Sequence, residues 1–189
     1  MSITTHPASL VNGIDADALR SCIAGCRQDP ANAQTHWHIR STWMGGTRTD
    51  HHIDACHIAG ERIDRSFTIK IDEPHQLCGS NLFANPQEYL LSALNACMMV
   101  GYAAVAALMD IRLESLEIET SGDIDLRAFL GIDPSVAPGY ESLTQTVRIS
   151  ADATDDQLRT LHETVKATSP NFYNLTRAVP TNSTLVITR

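Results

Sequence analysis

The sequence has little positive charge. Its 189 residues include 14 lysines and arginines against 22 aspartates and glutamates, which gives a net charge of -8. Because binding to phosphate groups requires a basic surface, this balance argues against nucleic acid as the main partner and against an anionic membrane surface. The first ten residues lack both a basic segment and an apolar core, so we see no secretory signal and expect a cytoplasmic protein.

The cysteines do not form the regular pattern of a disulfide-stabilised domain. They are Cys22, Cys26, Cys56, Cys78 and Cys97. Their number is odd, and free thiols in a reducing compartment are either buried or reactive. Cys22 and Cys26 share one face of a predicted helix, but no two further ligands accompany them, which disfavours a metal site.

The sequence also lacks the familiar metal and nucleotide motifs, including HExxH, the P-loop, GxGxxG and GxSxG. A metal site built from His36, His38, His51 and His57 is conceivable, because these histidines lie on neighbouring predicted strands. Without a recognised ligand spacing, half-exposed surface histidines are the favoured interpretation. We therefore expect neither a metal nor a cofactor.

The first half of the sequence predicts a helical appendage followed by an antiparallel sheet. Residues 1–34 form the appendage, whose helix is ended by Gln28-Asp29-Pro30. Alternating apolar residues then predict three strands, over residues 35–43, 47–58 and 62–71. Ala59-Gly60-Glu61 is typical of a hairpin turn between the last two.

The second half is organised around one long apolar helix. Asn85 is suited to cap it and Pro86 to begin it, and the apolar pattern continues to about Asp110. Since apolar residues surround this helix on nearly all sides, we predict that it is central. Thr154 and Gln157 predict the capping box of a second helix. The strands of this half are predicted over residues 113–126, 143–150 and 185–187.

The element order is therefore β-β-β-α-β-β-α-β, which indicates an α+β fold with antiparallel sheets. Cys97 lies in the middle of the long helix. It is either a buried, unreactive thiol or a nucleophile, and a nucleophile would need a nearby cation to stabilise its thiolate. No cation lies near Cys97 on the same helix, so any activating group must come from another segment.

Residues 72–74, Asp-Glu-Pro, and residues 85–97, NPQEYLLSALNAC, resemble the OsmC/Ohr family of osmotically inducible and organic hydroperoxide resistance proteins. The family block consists of Asn-Pro-Glu, apolar residues, a small-residue stretch and Ala-Cys. The resemblance extends over residues 35–189, which we take as the OsmC-like domain. It implies an intertwined α+β homodimer whose sheets wrap around two long central helices, with active sites at the subunit interface.

The resemblance also implies roles for individual residues. Cys97 takes the place of the cysteine that attacks the hydroperoxide, and Arg48, after Gly45-Gly46-Thr47, takes that of the activating arginine. Gln87 stands where the family has a glutamate. Ser169, before Pro170, stands where the family has a second cysteine, and Cys78 is a candidate substitute for that thiol.

We therefore expect a thiol-dependent peroxidase acting on organic or lipid hydroperoxides, of the one-cysteine type, with an external thiol as reductant. Met98 and Met99 are expected to help shape an apolar pocket, and an inserted segment around Arg127 is a candidate cover for it. The alternative is a binding protein without peroxidase activity, which holds a small apolar or thiol ligand in the interface pocket.

Overall fold

Antiparallel pairing joins all strands of the chain that the structure describes. The computed structural model describes residues 10–188, so the first nine residues of the predicted appendage lie outside it. The strands are β1 (Leu10–Val11), β2 (Ile14–Asp15), β3 (Thr35–Trp37), β4 (Arg40–Trp43), β5 (Thr49–Ile58), β6 (Glu61–Ile71), β7 (Leu113–Ser121) and β8 (Thr144–Ala151). The helices are α1 (Ala16–Gln28), α2 (Pro86–Leu108), α3 (Leu126–Phe129), α4 (Asp155–Thr168) and α5 (Pro170–Leu175), with short 3₁₀ turns at Pro30–Ala33 and His75–Leu77.

The first sheet is built on β5, which pairs with β3, β4 and β6. The predicted hairpin is confirmed, and its turn residues Ala59 and Gly60 both have positive φ, of 52° and 81°. The predicted single strand over residues 35–43 is instead two short strands. Both pair with β5, β3 near its end at Ile58 and β4 nearer its start at Thr49.

The core forms between α2, the β7–β8 hairpin and α4. Leu94, Met98, Tyr102 and Ala106 recur at helical spacing on α2 and are buried. They pack with a second set of buried residues from the turn before β7, from β7 and from α4, namely Ile111, Ile118, Leu161 and Val165. The helix α2 has the length and hydropathy of a membrane span, and its buried residues pack into this core, as predicted for a central helix.

Helix termini follow the predicted capping signals. The side chain of Asn85 accepts from the backbone N–H of Glu88, and Glu88 accepts from that of Asn85, which completes a capping box. Thr154 and Gln157 form the same arrangement at the start of α4. Side chains therefore satisfy backbone N–H groups that each helix leaves free in its first turn.

Two predicted strand regions are wrong. Strand β7 ends at Ser121, and Leu126 begins the short helix α3, because the side chain of Asp125 accepts from the N–H of Arg127 and starts a new turn. The predicted closing strand over residues 185–187 is not formed. Leu185 is 84% exposed, and within residues 10–188 no neighbouring strand supplies hydrogen bonds to this segment.

Candidate functional site

Cys97 faces the junction between α4 and α5. Its Sγ accepts a hydrogen bond from Oγ of Ser169 at 3.3 Å. Ser169 is only 4% exposed, and Cys97 is partly buried. The two residues are 72 positions apart in the chain. The fold therefore places a single buried hydroxyl against the sulfur of the predicted nucleophile.

Local hydrogen bonds orient Ser169. It is the N-cap of α5, and its Oγ accepts from the backbone N–H of Phe172 at 3.3 Å. Because that oxygen already accepts from the backbone, its own proton is left to point at Cys97. Asn171 donates to the carbonyl of Ala93 at 2.9 Å, which attaches α5 to α2 one turn before Cys97.

A glycine allows α2 and α4 to approach closely beside this contact. A Cβ built on Gly101 would lie 3.1 Å from Cγ1 of Val165. That separation is tighter than ordinary van der Waals contact, so a larger residue at position 101 would push the helices apart. Since Cys97 and Ser169 each lie four residues from this contact, Gly101 helps to set their spacing.

A further polar contact lies at the same helix interface. The hydroxyl of the buried Tyr102 hydrogen bonds with Nδ1 of His162 on α4. Burial raises the pKa of Tyr102 to about 12, and the nearby carboxylate of Glu163 adds to the effect. Tyr102 is therefore a neutral hydroxyl at physiological pH, and it anchors α4 against α2.

A cavity of about 600 Å³ lies beside the start of α2. Its lining is mainly apolar and comes from α2, the segment before β8, β8 itself and α5: Gln87, Leu90, Leu94, Gly139, Tyr140, Glu141, Ser142, Leu143, Gln145, Phe172, Leu175 and Thr176. Leu94 lies three residues before Cys97, and Phe172 lies three residues after Ser169. The cavity thus adjoins the Cys97–Ser169 contact.

This lining differs in part from the prediction. Met98 is fully buried in the core and Met99 packs against it, so neither shapes the cavity. None of residues 125–131, the predicted cover, lines it, whereas Tyr140 and Glu141 from the later loop before β8 do. Arg127 itself is held by Asp125 and lines a different, more polar cavity.

Gln87 lines the cavity, whereas Cys97 is not one of its lining residues. It occupies the first turn of α2, ten residues before Cys97, which corresponds to about 15 Å along the helix axis. A glutamine side chain cannot span that distance. Gln87 therefore lines the cavity without reaching Cys97, and any coupling between the two residues needs a third group.

Arg48 closes the tight turn between β4 and β5. Gly45 and Gly46 have positive φ, of 94° and 60°, which favours glycine at both positions. The guanidinium of Arg48 is exposed and donates only to the carbonyl of Met44, at 3.4 Å. Among residues 10–188 no hydrogen bond or ion pair joins it to Cys97 or Gln87. A single chain therefore does not bring Arg48 and Cys97 together.

Cys78 is also separate from Cys97. It is exposed, ends the 3₁₀ turn His75–Leu77 with φ of 63°, and donates its backbone N–H to His75. No hydrogen bond links it to Cys97 in the described part of the chain. In α1, burial and the neighbouring Cys22 raise the pKa of Cys26. Residues 10–188 contain no group of three or more histidine, cysteine, aspartate or glutamate residues that could hold a metal ion.

The sequence did not point to Asp72. This residue follows β6 and is fully buried. Oδ1 accepts from Oγ1 of Thr47 at 2.6 Å, and Oδ2 accepts from the backbone N–H groups of Ser80 and Leu82 at 3.1 and 3.2 Å. The bond from Thr47, with help from the backbone N–H groups, holds the pKa of Asp72 well below its usual range, although burial acts in the opposite direction. Only its place in the Asp-Glu-Pro motif distinguished it beforehand.

A family model and several solved structures agree on the fold of this chain. A sequence model of the family described as OsmC-like protein matches residues 79–184. An OsmC-like protein from Mycoplasma pneumoniae has a TM-score of 0.59 and 15% identity, over 75% of this chain and 88% of that one. A protein from Psychrobacter arcticus 273-4, described as osmotic stress induced and in a detoxification response, has a TM-score of 0.55 and 17% identity, over 71% and 85%.

An OsmC-like protein of unknown function from Vibrio cholerae has a TM-score of 0.51 and 16% identity, and the match covers 73% of this chain and 92% of that one. At these identities the structures show a shared fold and no more. None of the curated proteins matches this sequence. The fold class predicted from the element order, and the resemblance carried by the helix motif, are both confirmed.

Proposed function

Because this chain belongs to the OsmC-like protein family, we propose that it is a thiol-dependent reductase of organic or lipid hydroperoxides with Cys97 as its nucleophile. The observation that carries the proposal is the Cys97–Ser169 contact at 3.3 Å beside an apolar cavity. A partly buried thiol with a dedicated hydrogen-bond donor and a space for an organic substrate has the parts that peroxide reduction requires.

The reaction begins when the Cys97 thiolate attacks the terminal oxygen of the hydroperoxide. The O–O bond breaks, the alkoxide takes a proton to leave as an alcohol, and Cys97 becomes a sulfenic acid. An external thiol then attacks the sulfur, which releases water and leaves a mixed disulfide. A second external thiol displaces Cys97 and leaves as the oxidised disulfide, which restores the starting state.

Ser169 determines that the reductant is external. A hydroxyl cannot form a disulfide with the sulfenic acid, so the cycle has no internal thiol partner at this position. The hydroxyl instead donates to the sulfur, and a hydrogen bond to a charged group contributes about 1.5–3 kcal/mol. Ser169 therefore stabilises the thiolate while leaving the reduction step to a small thiol.

The cavity favours a substrate with an apolar organic group. Leu90, Leu94, Leu143 and Phe172 are among the apolar residues that line it, and burying apolar surface contributes roughly 25 cal/mol per Å². Gln87 adds a hydrogen-bonding group to the lining. Hydrogen peroxide, which has no apolar part, gains nothing from these contacts and is expected to be a poor substrate.

The active unit is a homodimer, and the large exposed surface of the single chain supports this part of the proposal. The chain exposes 13932 Å², whereas a compact monomer of 20.7 kDa is expected to expose about 8,900 Å². The excess includes apolar side chains on both the first sheet and the central helix, such as Phe67 at 55% and Val100 at 68% exposure. A second copy of the chain is the proposed cover for these faces. It also offers a route by which Arg48 reaches a Cys97 thiolate.

Substitution of single cysteines tests the activity. With cumene hydroperoxide and excess dithiothreitol, Cys97→Ser should abolish peroxide consumption because the nucleophile is lost. Cys78→Ser is the matched control, since Cys78 is exposed and lies outside the cavity, and it should retain the wild-type rate. Retention of activity in Cys97→Ser would refute the assignment. Loss in Cys78→Ser alone would identify Cys78 as the nucleophile instead.

A second candidate is a binding protein that holds a small apolar or thiol ligand in the same cavity. Two features favour it: glutamine at position 87 removes a carboxylate partner for Arg48, and Ser169 removes the second thiol. Alkylation distinguishes the two functions. A thiolate poised for catalysis reacts with iodoacetamide below neutral pH, whereas a thiol that is merely packed does not.

A further inference from the structure

Three of the predicted site residues lie on separate segments that meet around one carboxylate. Arg48 follows Thr47 in the β4–β5 turn, Cys78 lies in the loop between β6 and α2, and Gln87 lies in the first turn of α2. Asp72 accepts from the side chain of Thr47 at 2.6 Å and from two N–H groups of that loop. Its own backbone N–H donates to Ala84, the residue before the N-cap of α2, at 3.3 Å.

The donors around Asp72 are neutral. A buried carboxylate is stable only when hydrogen bonds replace its hydration, and here two backbone amides and one hydroxyl do so. This requirement makes the arrangement rigid, because losing any donor leaves buried charge unsatisfied. Asp72 therefore holds the turn that carries Arg48 at a fixed position relative to the beginning of the Cys97 helix.

Backbone hydrogen bonds within the loop between β6 and α2 fix its conformation. Asn81 donates its N–H to the carbonyl of Glu73 at 3.0 Å, and Gly79 donates to that of Pro74 at 3.1 Å. Glu73 in turn accepts from the side chain of Asn85 at 3.4 Å. The loop thus connects Asp72 to the N-cap of α2 through its own backbone and through one side-chain contact.

We propose that Asp72 is a positioning residue for Arg48: through Thr47, it holds the β4–β5 turn that carries Arg48, so that the guanidinium can stabilise a Cys97 thiolate across the proposed dimer interface. The inference rests on the proposed function, because it assumes that Arg48 acts on Cys97. Asp72 touches neither the substrate cavity nor the sulfur. Its effect on reactivity therefore passes through Arg48, which distinguishes it from a residue that only supports the fold.

The test is the rate at which iodoacetamide alkylates Cys97 in the full-length protein, read from the mass of the Cys97 peptide. The variants are Thr47→Val, Asp72→Asn and Arg48→Ala, together with the double variants that add Arg48→Ala to each of the first two. Thr47→Val is the milder change, since it removes one hydroxyl and keeps the side-chain shape. Asp54→Asn is the matched control, because Asp54 is an exposed carboxylate on β5 that pairs only weakly with Arg40, at 3.9 Å.

We expect Thr47→Val and Asp72→Asn to slow alkylation by at least several-fold and at most about a hundredfold, the upper figure being the cost of a misplacement of roughly 1 Å. Neither should slow it further when Arg48→Ala is already present, and Asp54→Asn should leave the rate unchanged. Equal slowing with and without Arg48 would overturn the proposal, as would a normal rate in both single variants. If wild-type Cys97 reacts no faster than free cysteine, and Arg48→Ala changes nothing, then the proposed function fails as well.

Discussion

Replacing Ser169 with cysteine should convert the chain into a two-cysteine protein. The Oγ of Ser169 lies 3.3 Å from Sγ of Cys97, and a disulfide requires about 2.05 Å between sulfur atoms. The longer C–S bond of cysteine and a small side-chain rotation are enough to close that gap. Treatment of Ser169→Cys with one equivalent of cumene hydroperoxide should therefore produce a disulfide between positions 97 and 169.

The length of the enclosed chain sets the expected stabilisation. The two positions are 72 residues apart, and the loop-entropy relation gives roughly 4 kcal/mol for a cross-link of that length. Because engineered disulfides often deliver less, we expect about 2–4 kcal/mol. The measurement is urea unfolding of oxidised Ser169→Cys, with the same protein after reduction as reference and Ser169→Ala as the variant that cannot cross-link.

Peptide mass analysis without reductant identifies the bond directly. A mass corresponding to the linked peptides, lost on reduction, is the expected result. If the sulfenic acid of Cys97 forms in folded Ser169→Cys but no disulfide with position 169 follows, the two positions are not adjacent, and the geometry of the site is wrong. A disulfide between Cys97 and Cys78 would lead to the same conclusion.

Three further predictions concern the loop, the buried carboxylate and the assembly. A Cβ on Gly79 would lie 1.7 Å from the backbone oxygen of Glu73. In urea titrations, Gly79→Ala should therefore lower the free energy of unfolding by about 3 kcal/mol. Gly139→Ala is the control: no atom lies within 4 Å of its Cβ, so the free energy of unfolding should change by less than about 0.5 kcal/mol. The pKa of Asp72 is lowered in the folded state. Its contribution to the stability of the fold is therefore present above the unfolded-state pKa of about 3.9 and is lost as the pH falls through the folded-state pKa. Asp72→Asn should be less stable than wild type at pH 7, and unfolding curves at acid pH should show a smaller difference. Val100→Glu places a charge on the exposed face of α2 and should yield monomers in analytical ultracentrifugation, while a wild-type protein that is already monomeric would contradict the proposed dimer.

Local signals were enough to predict the elements that local chemistry determines. The cap at Asn85, the capping box at Thr154 and the Ala59-Gly60 turn depend on neighbours within a few residues, and the structure confirms all three. The extent of α2 was also predictable, because its apolar residues continue without interruption by charge as far as Met109.

Features that depend on distant partners were not predictable in the same way. The apolar residues 185–187 have the composition of a strand, but a strand also requires a paired edge, and the described part of the chain offers none to this segment. Leu126 fits the alternation of β7, yet the capping carboxylate of Asp125 one residue earlier starts a helix. In both cases a contact outside the periodic pattern determined the outcome.

In the candidate site, too, local motifs were predictable and contacts between distant segments were not. The helix motif pointed to Cys97 as the candidate nucleophile, and the Ser-Pro pair drew attention to Ser169, but only the packing of α4 on α2 shows that these residues touch. Asp72 was missed because its three donors lie in two different segments, 8 to 25 residues away in sequence. No local pattern predicts such convergence.

The most direct test of the account is to identify which cysteine a hydroperoxide oxidises. Reduced protein is mixed with one equivalent of cumene hydroperoxide and a dimedone-type sulfenic-acid trap, and each cysteine-containing peptide is weighed. The account predicts rapid labelling of Cys97 and none of Cys22, Cys26, Cys56 or Cys78. Labelling of Cys97 no faster than that of free cysteine, or preferential labelling of another thiol, would contradict it.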